Sequence, residues 1–210
     1  GATLATNLTT TGASATSNVT EGIFSLAGYN FTSGGTFTVE DGGTLKLFGA
    51  NTTVTTPTLS SGSTVEYYGT SGPYTLKDYT YHHLTINGAS TTFNAGSAET
   101  IGGNLTVSNG TLDLTTYDFT VTGNVAVSAG LLDASDSACD LDFNGNVAVT
   151  GGTFSAPAVA DATSLTVAGN WEVSGTGTFT HNSGTVVFDG TNQSITGSTT
   201  FNNFSKRISP

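Results

Sequence analysis

The sequence predicts an all-β fold: a single-stranded, right-handed parallel β-helix (β-solenoid) with three short strands per coil and nine or ten coils. A Gly-Asn-apolar-x-Val motif occurs four times, with its asparagines at positions 104, 124, 146 and 170. Two further short runs of alternating apolar and polar residues follow each motif. A repeat of about 20 residues containing three such runs is typical of a β-solenoid. The crossover rule for parallel strands favours the right-handed form.

The motif strand itself predicts how the coils stack. Equivalent strands of successive coils would pair about 4.8 Å apart along the axis. Alternate residues would then face inward as columns, such as Leu105 above Val125. The asparagine before each strand stands at a corner, where its amide can bond the backbone of the next coil. We therefore predict a structural asparagine ladder formed by Asn104, Asn124, Asn146 and Asn170.

The repeat pattern divides the chain into three parts. Residues 1–17 are rich in Thr, Ser, Ala and Asn with little alternation, which indicates an N-terminal arm or cap. Residues 18–205 carry the repeat without a linker, which predicts one solenoid domain, and 206–210 form a tail. The sequence also contains a repeat with a longer period than one coil, because residues 183–190 (SGTVVFDG) are similar to residues 61–69.

These motifs also carry a family resemblance. The Gly-Asn-apolar-x-Val motif and the run SGTVVFDG resemble repeat regions of secreted or surface-attached microbial β-solenoid proteins, including haemagglutinin-like and autotransporter-passenger-like adhesins. The resemblance covers residues 18–205 and implies an extracellular or cell-surface location. It implies a stalk, an adhesin, a filament or an enzyme scaffold equally well, because the same fold serves all of these.

The composition excludes several classes of partner. Four basic residues stand against 15 acidic ones, giving a net charge of −11. No basic patch for nucleic acid or an anionic membrane can be assembled from so few cations. No apolar run reaches the length of a membrane span. The single cysteine, Cys139, cannot form an internal disulfide, and its neighbours predict an inert position in a surface loop.

Calcium is the one cofactor that the sequence leaves open. Asp133, Asp136, Asp140 and Asp142 crowd one loop and strand, and carboxylate oxygens suit Ca²⁺. The glycine-rich repeat of calcium-binding solenoids is absent. A polar surface loop is the favoured interpretation.

Carbohydrate chemistry is the main alternative function. Asp113 and Asp133 occupy equivalent outward positions on adjacent coils, and paired carboxylates are what glycoside hydrolysis requires. Later coils have Ser155 and Thr180 there, so solvated surface carboxylates are favoured over a catalytic pair. A cluster of tyrosines between 67 and 81 could bind surface glycans if exposed, although packing within the coil is favoured.

The C-terminal run suggests how copies of the chain would assemble. Phe201, Asn203 and Phe204 correspond to Tyr81, His83 and Leu84, where the strand continues into a complete coil. An uncovered coil presents unpaired backbone groups that a matching coil, or a donated N-terminal arm, can satisfy. We therefore expect a non-catalytic extracellular structural protein, the subunit of a head-to-tail filament or an adhesin stalk.

Overall fold

Short parallel strands build almost the whole chain. The structure, a computed structural model, describes residues 1–135, 139–158 and 164–207. These residues contain no helix and the following strands: β1 (Ala2–Thr3), β2 (Leu8–Thr10), β3 (Thr16–Val19), β4 (Gly22–Ser25), β5 (Phe31–Ser33), β6 (Thr36–Val39), β7 (Gly43–Leu47), β8 (Thr58–Leu59), β9 (Thr64–Tyr67), β10 (Tyr74–Thr75), β11 (His83–Asn94), β12 (Glu99–Ile101), β13 (Leu105–Asp113), β14 (Phe119–Val121), β15 (Val125–Val127), β16 (Leu131–Asp133), β17 (Leu141–Phe143), β18 (Val147–Val149), β19 (Thr153–Ser155), β20 (Leu165–Val167), β21 (Trp171–Val173), β22 (Thr178–Thr180), β23 (Thr185–Phe188), β24 (Ile195–Gly197) and β25 (Asn203–Lys206).

The strands form three walls. The first wall has the order β1-β4-β7-β9-β11-β13-β15-β18-β21-β24. The second contains β2-β5 near one end and, further along, β10, the second halves of β11 and β13, and then β16-β19-β22. The third contains β3-β6-β8 and β12-β14-β17-β20-β23-β25. The predicted parallel β-solenoid with three strands per coil is therefore confirmed, with about nine turns.

The core is a set of inward columns created by the alternation in the sequence. Leu105 aligns with Val125, Val125 with Val147, and Val147 with Trp171. All four are buried. The residue that follows each of them in its strand faces outward and is only partly covered. Trp171 packs edge-on against Phe179 and Phe188. Full burial of each large side chain contributes about 2–3 kcal/mol, so the stacked columns hold the coils together.

Glycines occupy the corners where coils approach most closely. A Cβ at Gly145 would stand 2.2 Å from the carbonyl oxygen of Gly123, and one at Gly169 would stand 2.2 Å from that of Gly145. Such separations lie far inside van der Waals contact. The glycine of the Gly-Asn motif is therefore required because the backbones of neighbouring coils touch at this corner.

The N-terminal segment, for which the sequence predicted an arm or cap, pairs with the following coil. Ala2 aligns with Phe24, Leu8 with Phe31 and Thr16 with Thr36, all in parallel pairs. Residues 2–19 therefore form a coil already paired to their own chain. Most side chains of β1, β2 and β3 are exposed, in keeping with the weak alternation in this part of the sequence.

Cys139 was expected at the surface, and that prediction was wrong. Its side chain is fully buried. The reason is the period of the strand that follows: Cys139, Leu141 and Phe143 are alternate residues, and all three are buried. The inward alternation therefore begins two residues before β17.

Candidate functional site

The most regular polar array in the structure is the column of motif asparagines. The Oδ1 of Asn104 accepts a hydrogen bond from the backbone N–H of Asn124 at 2.9 Å. The same bond joins Asn124 to Asn146 at 2.9 Å and Asn146 to Asn170 at 2.8 Å. The Oδ1 of Asn170 accepts from Ser194 at 2.8 Å. Each side chain thus satisfies a backbone donor of the next coil at an exposed corner.

A histidine extends this column toward the N-terminus. The Nδ1 of His83 accepts a 2.8 Å hydrogen bond from the backbone N–H of Asn104. The neighbouring ring of His82 lies edge-on to it, with 4.3 Å between centroids, and its Nδ1 accepts from the backbone N–H of Gly62 at 3.0 Å. The rings of the two adjacent histidines are therefore in contact. Burial, and then the adjacent His82, lower the pKa of His83.

The aspartates proposed as calcium ligands lie on different walls. Asp133 ends β16 in the second wall, and its Oδ1 accepts from the backbone N–H and hydroxyl of Ser135. Asp142 lies in β17 of the third wall, where Thr166 donates to it at 2.9 Å. Asp140 precedes that strand, and Asp136 lies outside the described residues. Among the described residues, no three His, Cys, Asp or Glu side chains are grouped to hold a metal ion. Calcium binding at this loop stays a prediction.

The two carboxylates considered as a catalytic pair are direct register partners. Asp113 aligns with Asp133 between β13 and β16. The Oδ1 of Asp113 accepts from the backbone N–H of Thr115 at 2.7 Å, as that of Asp133 does from Ser135 at 3.0 Å. Each carboxylate therefore closes the turn that follows its own strand, which is a structural use of the residue.

Three of the five tyrosines between residues 67 and 81 lie in the core. Tyr67, Tyr79 and Tyr81 are buried, and the hydroxyls of Tyr67 and Tyr81 share a 2.9 Å hydrogen bond. Burial raises the pKa of all three, that of Tyr79 to about 12. These three rings do not form an exposed sugar-binding surface. Packing within the long coil explains them.

Glu99 is a polar residue that the sequence interpretation missed. It aligns with Phe119 and faces inward, with only 6% of its surface exposed. The hydroxyl of Ser97 donates to it at 3.2 Å. Burial raises the pKa of its carboxyl to about 7. The pattern itself contains the clue, because Glu99-Thr100-Ile101 occupies the place of Phe119-Thr120-Val121 in the next coil.

The residues predicted to mediate assembly occupy the last coil. Phe201 packs against Trp171 and Phe179 in an aromatic cluster. Asn203 and Phe204 lie in β25, whose described strand partner is β23 alone. Phe204 is 50% exposed. Its ring packs against Phe188 and Phe201, so only part of the side chain is exposed.

The opposite end of the solenoid is concave. A cavity of about 380 Å³ opens there, lined by Phe24, Phe31, Phe37 and Val19 and bordered by Glu21. The three phenylalanines pack edge-to-face beneath it, with the centroids of Phe31 and Phe37 4.8 Å apart. The apolar interior therefore continues to this end of the described chain.

Comparisons with protein-family models, with curated proteins and with solved structures each find no match. In the part of the chain that the structure describes, no helix is long and apolar enough to cross a membrane.

Proposed function

We propose that this chain is a non-catalytic extracellular structural protein, a rigid rod that extends coil on coil as the subunit of a surface filament or stalk. The location outside the cell rests on the resemblance of the repeats to secreted and surface-attached solenoids. The observation that carries the structural role is the unbroken parallel pairing of equivalent strands from coil to coil along the first wall. Within the described residues, β1 and β2 at one end, and β24 and β25 at the other, each have a single strand partner.

In this proposal a further coil adds to these terminal strands of the described chain. Their outer edges carry backbone N–H and C=O groups that a matching parallel strand can satisfy. Apolar side chains accompany them: Leu8 near one end, and Ile195 and Phe204 near the other, are among the large exposed apolar residues. Burial of such side chains between stacked coils provides the free energy of association.

The two ends differ in charge, which supports a second copy as the partner. The apolar cavity beside Phe24 is bordered by Glu21, whereas the half-exposed Phe204 at the other end is close in sequence to Lys206 and Arg207. Those two cations are half of the four in the whole chain. A head-to-tail contact brings opposite charges together, which sets its direction. Because this contact is heterologous and does not close on itself, it propagates as a filament.

The state of the N-terminal coil changes the expected mode of assembly. Residues 2–19 are paired within their own chain, so coil-on-coil stacking replaces donation of a free arm. No strand has to leave its place for this contact to form. The association then follows the same register that relates successive coils inside one copy.

Sedimentation velocity over a wide range of concentrations tests the proposal. The chain should form species that grow with concentration, and high salt should weaken their association, because the end charges are screened. Phe204→Asp should abolish growth. Tyr117→Asp, at an exposed aromatic residue away from the ends, is the matched control and should assemble normally. A monomer at every concentration, or equal loss of assembly in both variants, would refute the proposal.

A further inference from the structure

A shallow groove runs along the outside of the first wall, beside the asparagine ladder. Its volume is about 400 Å³, and Asn124, Asn146 and Asn170 line one side. The floor is formed by Ala126 and Ala148, the outward residues of β15 and β18. Other residues that line it are Glu172, Ser194 and Thr196. We call this feature the ladder groove. It exists because two successive coils have only a methyl group where the next coil has Glu172.

The asparagines present hydrogen-bond donors along this groove. Each Oδ1 is held by the backbone N–H of the next coil, which fixes the orientation of the amide. Within the described residues, the Nδ2 groups of Asn124, Asn146 and Asn170 donate no hydrogen bond to the protein. The result is a row of oriented amide donors spaced by one coil, about 4.8 Å. Donors fixed in advance lose little conformational entropy when a ligand binds.

We propose that the ladder groove binds a neutral polysaccharide chain lying along the solenoid axis. Hydroxyl and ring oxygens are acceptors for the amide donors, and the apolar faces of sugar rings fit the alanine floor. An anionic glycan is disfavoured by the net charge of −11 and by Glu172 in the groove. A chain is favoured over a single sugar because donors and floor repeat from coil to coil.

The backbone of the first wall excludes a peptide strand as the occupant. A strand bound by β-augmentation requires an unpaired sheet edge. β15 pairs with β13 on one side and β18 on the other, and β18 pairs with β21. The backbone groups beneath the groove are therefore already used in the sheet. Only side chains are left to contact a ligand. Side-chain amides can bind a polysaccharide, whereas a peptide strand would need free backbone groups.

Affinity gel electrophoresis tests this site with soluble probes: a mixed-linkage glucan, a galactomannan and a xylan as neutral chains, and alginate as the anionic one. Wild-type protein should be retarded by at least one neutral probe and not by alginate. Asn146→Asp keeps the Oδ1 acceptor for the ladder but removes the amide donor, so it should weaken retardation about fivefold. Ala148→Leu fills the floor and should abolish it.

Thr120→Leu is the matched control, because Thr120 is an outward, partly covered residue of the third wall. It should bind like wild type. The proposal fails if no neutral probe retards the protein, if alginate does so equally, or if Ala148→Leu binds normally. It also fails if Thr120→Leu loses binding to the same extent. Because the groove lies on the side of the rod, monomers suffice, and the result is independent of assembly.

Discussion

The imidazole of His83 and the backbone N–H of Asn104 are joined by a 2.8 Å hydrogen bond at the start of the asparagine ladder. In the next coils an Asn Oδ1 makes the equivalent bond, from Asn104 to Asn124 and onward. The ladder therefore begins with a group that titrates and continues with groups that do not. Protonation of Nδ1 removes the acceptor, so the first rung depends on pH.

Acid should weaken the fold through His83. Burial lowers its pKa in the folded state below the value of about 6.5 expected in the unfolded chain. Above pH 6.5 neither state binds the proton, and the bond contributes fully. As the pH falls below 6.5 the unfolded state takes up the proton first, so stability falls. Urea unfolding of wild type and His83→Asn between pH 5 and 8 measures this.

The His83→Asn variant should lack that part of the decline while keeping an acceptor for Asn104. His83→Ala provides the contrast, because it removes both the titration and the acceptor. It should be less stable at neutral pH and equally free of the acid-dependent loss. Identical pH slopes in wild type and His83→Asn would contradict the assignment.

Glu99 should make the protein less stable at alkaline pH. Its pKa is raised to about 7 by burial, whereas the unfolded carboxyl titrates near 4.5. Stability from this group is present below pH 4.5 and is lost as the pH rises through 7. Glu99→Gln should therefore stabilise the fold by about 2 kcal/mol at pH 8 and change it little at pH 4.

Glu99→Leu distinguishes the charge from the shape of the side chain. Leu141 occupies the equivalent inward position two coils along, so leucine fits this column. Denaturant unfolding of both variants should show the same gain at pH 8. A pH profile like that of wild type in either variant would mean that Glu99 reaches solvent in its charged form.

Loss of one ladder rung should cost a modest amount of stability. Asn146→Ala leaves the backbone N–H of Asn170 without its side-chain acceptor, which should lower the free energy of unfolding by about 1 kcal/mol. Asn146→Asp should cost less, because the carboxylate of Asp118 already accepts the N–H of Asp140 in this way. Asn192→Ala, at an exposed residue outside the ladder, serves as the control. Equal effects at Asn146 and Asn192 would argue against the ladder.

A methyl group at the motif glycine should be far more damaging. Gly145→Ala places a Cβ 2.2 Å from the carbonyl oxygen of Gly123, so the two coils must separate locally. We expect a loss of about 3 kcal/mol or more in thermal or urea unfolding. Gly102→Ala is the matched control, since the nearest atom to its Cβ would lie 3.6 Å away. Tolerance of both substitutions would show that the corner can open without cost.

The fold class followed from the sequence because the solenoid repeats one local rule. The spacing of Asn104, Asn124 and Asn146 marked the coils, and the alternation in Leu105–Val107 marked an inward column. Each coil meets a neighbour of the same pattern, so a periodic sequence largely specifies its own contacts. The sequence predicted the asparagine ladder for the same reason, since each asparagine occupies the same corner of its coil.

Where the repeat is imperfect, the contacts and burial of the residues could be learned only from the tertiary structure. Residues 2–19 pair as a coil although their alternation is weak, because pairing with the next coil satisfies their backbone regardless of side chain. Cys139 and Glu99 are buried because the phase of the neighbouring strand carries them inward. His83 enters the ladder because its ring nitrogen reaches the same N–H that an asparagine oxygen reaches in later coils. A sequence period fixes which residues are equivalent, whereas the distances between coils determine which different side chains can make the same contact.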